Sequence, residues 1–292
     1  MAAEIIDGQK IAKEMREGFT KEVEELKRKG VVPGLAVVLV GENSASKVYV
    51  SMKKKACQQV GFYSEEHKLS VDTTNQELLK LIHKLNSNDK IDGILVQLPL
   101  PKQIDEDMVL EEIDSQKDVD GFHPYNMGLL LASSYKSKTE PLFQPCTPFG
   151  VMKMLEYYKV DLKGKNAVVI GRSNIVGKPI ALMLLREDAT VTICHSRTAD
   201  LRAEVKKADI IIAAIGKPKF VTVDMVKEGA VVIDVGVNRL EDGSLVGDVD
   251  YDEVAKKASL ITPVPGGVGP MTITMLLYNT LKAAKVHHHL LP

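Results

Sequence analysis

Residues 166–179 read NAVVIGRSNIVGKP, an apolar and largely β-branched run that stops at Gly171 and reaches a second glycine, Gly177, just before a helix-like stretch. A continuous apolar run of this kind marks a strand covered on both faces, the habit of parallel sheets. The dinucleotide fingerprint GxGxxG would put glycines at 171, 173 and 176, whereas the chain has Gly171, Ser173 and Val176 there and moves the last glycine to Gly177. Gly171 can still turn tightly, and Gly177 can still leave room for a pyrophosphate at a helix N-terminus. By itself the pattern fits a cofactor loop or a plain strand-to-helix turn, and the flanking order favours the cofactor. VGKPIALMLLRED continues as a helix, TVTIC (190–194) as a strand, ADLRAEVKKA as a helix, DIIIAAIG (209–216) as a strand, and AVVIDVG (230–236) as another after a short helix. That alternation predicts a doubly wound, Rossmann-like α/β domain over residues 149–270.

The end of the second strand selects the nucleotide. In NAD-binding folds an acidic residue about 20 positions on accepts the ribose 2′-hydroxyl. Here TVTIC runs into His195, Ser196 and Arg197, with no carboxylate among them. Ser196 and Arg197, with Arg172 from the preceding loop, suit a 2′-phosphate, because guanidinium groups pair with phosphate in bidentate fashion. NADP is therefore expected ahead of NAD; the plain alternative is two ordinary surface arginines.

Upstream, a helical stripe over 11–26 leads through Pro33 and Gly34 into LAVVLVG (35–41), a buried strand. Asn43 or Ser44 can cap a helix over SASKVYVSMKKKACQQV; FYSEEHKL follows as a weaker strand, 75–86 as a helix, and IDGILVQLPLP (91–101) as a strand stopped by its prolines. This order implies a second, mainly parallel α/β domain over 1–148, with the boundary at the Pro-rich turn PCTP (145–148) after the polar loop SSYKSKTE. SLITPVP adds a strand before PGGVGP, and the apolar helix over 271–285 is expected to pack back on the first domain.

Composition narrows the function. In 292 residues, 38 basic side chains face 39 acidic ones, so no global field favours nucleic acid or an anionic membrane. Cys57, Cys146 and Cys194 form neither a CxxC pair nor a metal pattern, so no metal and no disulfide framework are expected. The N-terminal MAAEIIDGQKIAKEM lacks a leader pattern and no run approaches ~18 apolar residues, which points to a cytoplasmic protein. His287, His288 and His289 read as a tail or a weak metal tract and are left out of the site.

Tyr49 and Lys53 stand four apart on the helix after LAVVLVG, so they share a face. KKK at 53–55 also reads as a solvated charge run. Position argues otherwise: the helix starts at the carboxyl end of a parallel strand and Gln97 ends another, the crevice where open α/β sheets bind ligands. A lysine desolvated there can serve as acid or base, with the Tyr49 phenol to relay or orient the proton. KDVDG offers Asp118 and Asp120 as candidates or as turn formers, and PCTP and TPVPGGVGPMT are rigid turns that could line a cleft or simply set the backbone. The residues alone reach an NADP-dependent two-domain enzyme and no substrate.

Six strings, YVSMKKKA, GILVQLPLP, KDVDGF, PCTP, GRSNIVGKP and ITPVPGGVGPMT, occur in the order and approximate spacing of one family. From about Ile5 to Ala284 the chain resembles the bifunctional methylenetetrahydrofolate dehydrogenase/methenyltetrahydrofolate cyclohydrolase family. The resemblance implies oxidation of 5,10-methylenetetrahydrofolate by hydride transfer to NADP⁺, then hydrolysis of the methenyl cation to 10-formyltetrahydrofolate, without a metal. It implies that Lys53 is catalytic, Tyr49 its partner, Gln97 its tuner, and Asp120 the carboxylate that holds the pterin. It places Gly171, Arg172, Ser173, Gly177 and Ser196 at the cofactor, where His195 and Arg197 at the strand end are candidates too, Gly266, Gly267 and Gly269 in a folate-facing loop with Pro265 as a candidate beside them, and the chain in a homodimer. Mitochondrial relatives that use NAD⁺ keep the cofactor choice open. The rival readings are a dehydrogenase of the shikimate dehydrogenase type and a non-catalytic NADP-binding regulatory protein.

Overall fold

The computed structural model describes residues 3–132 and 142–290. The loop SSYKSKTE lies outside them. In chain order the first elements are β1 (Glu4–Ile5), α1 (Gly8–Arg28), β2 (Gly34–Val40), α2 (Ser44–Val60), β3 (Tyr63–Leu69), α3 (Asn75–Asn86), β4 (Gly93–Val96), α4 (Glu106–Glu112) and α5 (Pro124–Ala132). There follow α6 (Cys146–Tyr157), β5 (Asn166–Ile170), α7 (Gly177–Arg186), β6 (Thr190–Cys194), α8 (Leu201–Lys206), β7 (Ile210–Ala213) and, after a 3-10 turn, β8 (Val231–Asp234). A hairpin of β9 (Asn238–Arg239) and β10 (Leu245–Val246) precedes α9 (Tyr251–Val254), β11 (Leu260–Ile261) and α10 (Val268–His287).

The chain forms two compact units, each built on a parallel sheet. One unit holds the described residues of Met1–Lys13, Leu130–Lys138 and Thr147–Thr272. Its six strands run β1-β11-β8-β7-β5-β6, all parallel. The strands β7 and β8 are buried throughout, as their unbroken apolar runs require when helices cover both faces. This is the expected doubly wound domain, with an amendment at the N-terminus. Residues 3–13 belong here rather than with 1–148, because β1 pairs with β11 as an edge strand and Ile6 is fully buried beside it. A two-residue strand carries no periodicity from which it could be read.

The other unit contains Glu14–Leu129, the described part of Thr139–Cys146, and Ile273–Pro292 as far as residue 290. Its sheet is β3-β2-β4, parallel, with β2 buried along its whole length. Helix α2 starts from an Asn43 cap, whose side chain accepts from Ser46 N, and stops at Gly61 with φ 84°, a left-handed position that glycine takes without strain. Helix α10 returns to this unit as expected: Arg16 Nε donates to Thr274 Oγ1 at 2.9 Å, and Phe19 packs on Tyr278.

Several boundaries differ from expectation. Strand β4 is four residues long rather than spanning 91–101, since Pro99 and Pro101 have no N–H for the ladder and the last sheet bond is Gln97 N to Val38 O. PCTP is not wholly a turn: α6 begins at Cys146, and Pro148 sits in a first turn that needs no donor there. Helix α10 likewise starts inside PGGVGP, with Pro270 in its first turn. His287, set aside as tail, is the last residue of α10; its Nδ1 lies 3.0 Å from Oδ1 of the buried Asp92, whose Oδ2 accepts from Gly34 N.

Candidate active site

Helix α2 puts Tyr49, Lys53 and Cys57 on one face at successive turns. Of the three consecutive lysines only Lys53 is buried, at 6% exposure; Lys54 pairs with Glu66 of β3, and Lys55 faces solvent. The plain reading of the run therefore holds for two lysines and fails for the first. Lys53 Nζ donates to Gln97 Oε1 at 2.9 Å, and Gln97 Nε2 donates to Leu98 O at 2.8 Å. That second bond fixes the amide with its oxygen toward the lysine. Gln97 directly follows β4, whose end the Gln97 N to Val38 O bond holds beside β2, and Lys53 reaches it from the helix that follows β2.

The two aspartates of KDVDG separate by role. Asp118 is buried and accepts N–H bonds from Gly121, Phe122 and His123 and from Asn126 Nδ2, so it is the turn former. Gly121 has φ 79°, and a Cβ there would lie 2.5 Å from the Gln144 carbonyl carbon, which leaves glycine as the residue that fits. Asp120 keeps part of its surface open and faces Lys53 and Cys146 electrostatically. Burial lowers the pKa of Lys53, with Asp120 opposing. Burial raises the carboxyl of Asp120, with Lys53 opposing. The Tyr49 phenol is also pushed up by burial. A lysine that is easier to deprotonate, steered by an amide, can take a proton and return it.

Sequence reasoning missed the far side of this cluster. The Cys146 thiol donates to Val119 O at 3.3 Å, and Asn279 of α10 donates through Nδ2 to Val119 O (2.8 Å) and Gln144 O (3.0 Å). Burial, reinforced by Asp120, holds the Cys146 thiol far above its ordinary pKa, so it acts as a hydrogen-bond donor rather than a nucleophile. Asn279 Nδ2 also donates to Cys146 Sγ at 3.7 Å, and no short-range pattern links residues 133 positions apart.

In the six-stranded unit the loop after β5 turns tightly into α7. Gly171 has φ 128°, and a Cβ there would lie 2.2 Å from Ala214 O. A Cβ on Gly177 would come within 2.4 Å of Gly171 O. Ser173 Oγ accepts from Val176 N (3.2 Å) and Gly177 N (3.3 Å), shaping the entry to α7. After β6, His195 N donates to Thr198 Oγ1 and His195 Nδ1 accepts from Arg197 N, a tight turn that leaves Ser196 and Arg197 exposed. The nearest downstream carboxylate, Asp200, caps α8 by accepting from Ala203 N. These donors and the missing acid fit NADP.

The loop 263–269 precedes and opens α10 in the same unit. Gly266 has φ 108°, and a Cβ on Gly267 would lie 2.6 Å from Pro263 O, so backbone packing alone accounts for these two glycines. At Gly269 a Cβ would meet nothing within 4 Å, so local packing makes no demand for glycine there. Among the described residues no cluster of three or more His, Cys, Asp or Glu could hold a metal, and no helix is long and apolar enough to cross a membrane.

The chain matches two family models: tetrahydrofolate dehydrogenase/cyclohydrolase, catalytic domain, over residues 6–120, and the NAD(P)-binding domain of the same description over 145–288. It is 64% identical over 283 residues to the bifunctional protein FolD of Geotalea uraniireducens, covering 97% of this chain and 99% of that one. The crystal structure of the bifunctional FolD methylenetetrahydrofolate dehydrogenase/cyclohydrolase from Campylobacter jejuni is similar at 53% identity and TM-score 0.94, covering 98% and 99% of the two chains. The FolD structure from Trypanosoma brucei, complexed with NADP and an inhibitor, is similar at 40% identity and TM-score 0.94, covering 98% of each.

Proposed function

The chain belongs to the tetrahydrofolate dehydrogenase/cyclohydrolase family, and on that premise we propose that Lys53, steered by Gln97, moves the protons of hydrolysis while Asp120 holds the pterin. The protein is a bifunctional, NADP-dependent enzyme of one-carbon metabolism. It oxidises 5,10-methylenetetrahydrofolate and then hydrolyses 5,10-methenyltetrahydrofolate to 10-formyltetrahydrofolate. This sets aside the shikimate dehydrogenase and regulatory-protein readings.

The observation that carries the assignment is a buried lysine with a lowered pKa, hydrogen-bonded to an amide whose orientation is fixed. Water adds to C11 of the methenyl cation and loses a proton, which neutral Lys53 takes. The bond from C11 to N5 then breaks as the Lys53 ammonium returns the proton to N5, the C11 hydroxyl loses its proton to solvent, and N10 keeps the neutral formyl group, with one proton released overall. Tyr49, one turn earlier on α2, orients or relays that proton. Asp120 pairs with the amidine-like N and NH₂ edge of the pterin. Bound NADP⁺ would supply the hydride acceptor for C11 in the oxidative half-reaction. Gly171, Ser173 and Gly177 would shape the loop for its pyrophosphate, and Arg172, His195, Ser196 and Arg197 would hold its 2′-phosphate. By family resemblance, Pro265, Gly266, Gly267 and Gly269 form the folate-facing loop.

Purified protein given methylenetetrahydrofolate and NADP⁺, with NADPH and the methenyl absorbance followed together, should form NADPH while the methenyl species passes to 10-formyltetrahydrofolate. NADPH without hydrolysis would overturn the role of Lys53. We also propose a cytoplasmic homodimer; the family resemblance supports it, and light scattering showing one chain per particle would refute it.

A further inference from the structure

We infer that Asp248, outside every motif quoted above, is a positioning residue for hydride transfer: its carboxylate moulds the loop after β7 into one wall of the NADP site. The inference rests on the reading that NADP occupies the loop after β5.

The sheet order places β5 between β6 and β7, so the chain reverses its direction of winding between β5 and β7. In open α/β sheets the ligand crevice opens at the carboxyl ends of the strands flanking such a point. Those ends carry the Gly171 turn and the segment Ala214–Lys217. The two are in direct contact, since Ala214 N donates to Ile170 O and Ala214 O occupies the space a Gly171 side chain would need.

Asp248 sets the shape of that segment. It is fully buried, and four N–H donors converge on its carboxylate. Ile215 N (2.7 Å) and Gly216 N (2.9 Å) bond to Oδ2, while Lys217 N (2.8 Å) and Asn238 Nδ2 (2.9 Å) bond to Oδ1. Three of these donors are consecutive backbone amides of the wall, and the fourth ties in the β9–β10 hairpin. Asp248 is itself pinned from behind, because Asp234, at the end of β8, accepts from Asp248 N (2.9 Å) and Val249 N (2.8 Å). An ionised carboxylate is the side chain that accepts four such bonds without presenting a donor of its own. A hydrophobic side chain in this place would take the acceptor away from the Ile215, Gly216 and Lys217 amides and from Asn238 together. Gly236 completes the fit: a Cβ there would lie 2.2 Å from Asp248 Cγ.

The test uses the two activities as internal controls for each other. Asp248→Asn turns an NH₂ toward backbone amides that need an acceptor, and Asn238→Ala removes one donor while leaving the carboxylate, so it serves where Asp248→Asn folds poorly. NADP⁺ affinity is measured by direct titration, the dehydrogenase rate at saturating folate, and hydrolysis of methenyltetrahydrofolate without NADP⁺. Asp248→Asn should weaken NADP⁺ binding by roughly tenfold or more, the size expected for a lost charged acceptor. Asn238→Ala should shift it the same way by less, and hydrolysis should stay within about twofold of wild type, given that rough scale for surface-neutral changes. Unchanged NADP⁺ affinity and dehydrogenase rate in both variants would overturn the role of Asp248 alone. Equal losses of the two activities would reduce it to a general stabiliser and overturn it as well. Failure of the unmodified protein to bind NADP⁺ would overturn the cofactor reading and this inference with it.

Discussion

Lys53 Nζ and Gln97 Oε1 stand 2.9 Å apart, joining α2 to the end of β4 across 44 residues of chain. Since Gln97 Nε2 is held by Leu98 O, the amide cannot rotate to offer its NH₂ to the lysine without losing that bond. The lysine thus has an acceptor that carries no charge. A carboxylate at position 97 would stabilise the ammonium and keep the proton in place; a neutral amide orients it and leaves burial free to lower its pKa.

That relationship makes a prediction about pH. Asp120 raises the pKa that burial lowers at Lys53, so Asp120→Asn should lower it further. The rising limb of hydrolysis against pH, which reports neutral Lys53, should then move to lower pH than in the wild type. The same variant should raise the folate KM with NADP⁺ affinity near wild type. A limb displaced to higher pH, or a loss confined to NADP⁺ binding, would contradict the placement of Asp120.

For the cofactor, Arg172→Ala combined with Arg197→Ala should weaken NADP⁺ binding far more than NAD⁺ binding. Charged hydrogen bonds to phosphate contribute about 1.5–3 kcal/mol each, and no carboxylate near the exposed Ser196 and Arg197 favours NAD⁺. Isothermal titration with both nucleotides decides it; equal losses would refute the 2′-phosphate assignment.

Stability should depend on the end of α10. His287→Ala takes one hydrogen bond from the buried Asp92 carboxylate, which keeps the bond from Gly34 N, at a cost of about 1–3 kcal/mol. Urea melts should show this loss, while exposed His288→Ala stays close to wild type. A silent His287→Ala would show that the contact does not fasten the helix.

Much of this molecule is legible in its sequence because parallel strands declare themselves. GLAVVLV, GILV and IIIA are apolar at every position, and helices such as α1, α2, α3 and α7 are long enough to show a stripe. Lys53 was separable from its neighbours only by position, since KKK itself looks like a charged surface. Asp118 and Asp120 could not be told apart, as two aspartates two residues apart differ only in which one the turn's amides seize. Cys146, Asn279 and Asp248 gave no local signal because their partners arrive from distant segments. The two-residue strands and the short helices α4, α5 and α9 are too brief for periodicity to mark.

The central claim is that Lys53 carries the protons of hydrolysis, and Lys53→Met tests it most directly. Methionine keeps much of the aliphatic stem, so α2 should pack as before and Tm should confirm a folded protein. Positioned acid and base groups contribute roughly 10²- to 10⁴-fold. Hydride transfer moves no proton to or from the enzyme in its chemical step. Folded Lys53→Met should therefore lose at least about a hundredfold in methenyltetrahydrofolate hydrolysis and much less in NADPH formation. Hydrolysis at close to the wild-type rate would contradict the account and shift the role to Tyr49 or to a water held by Gln97.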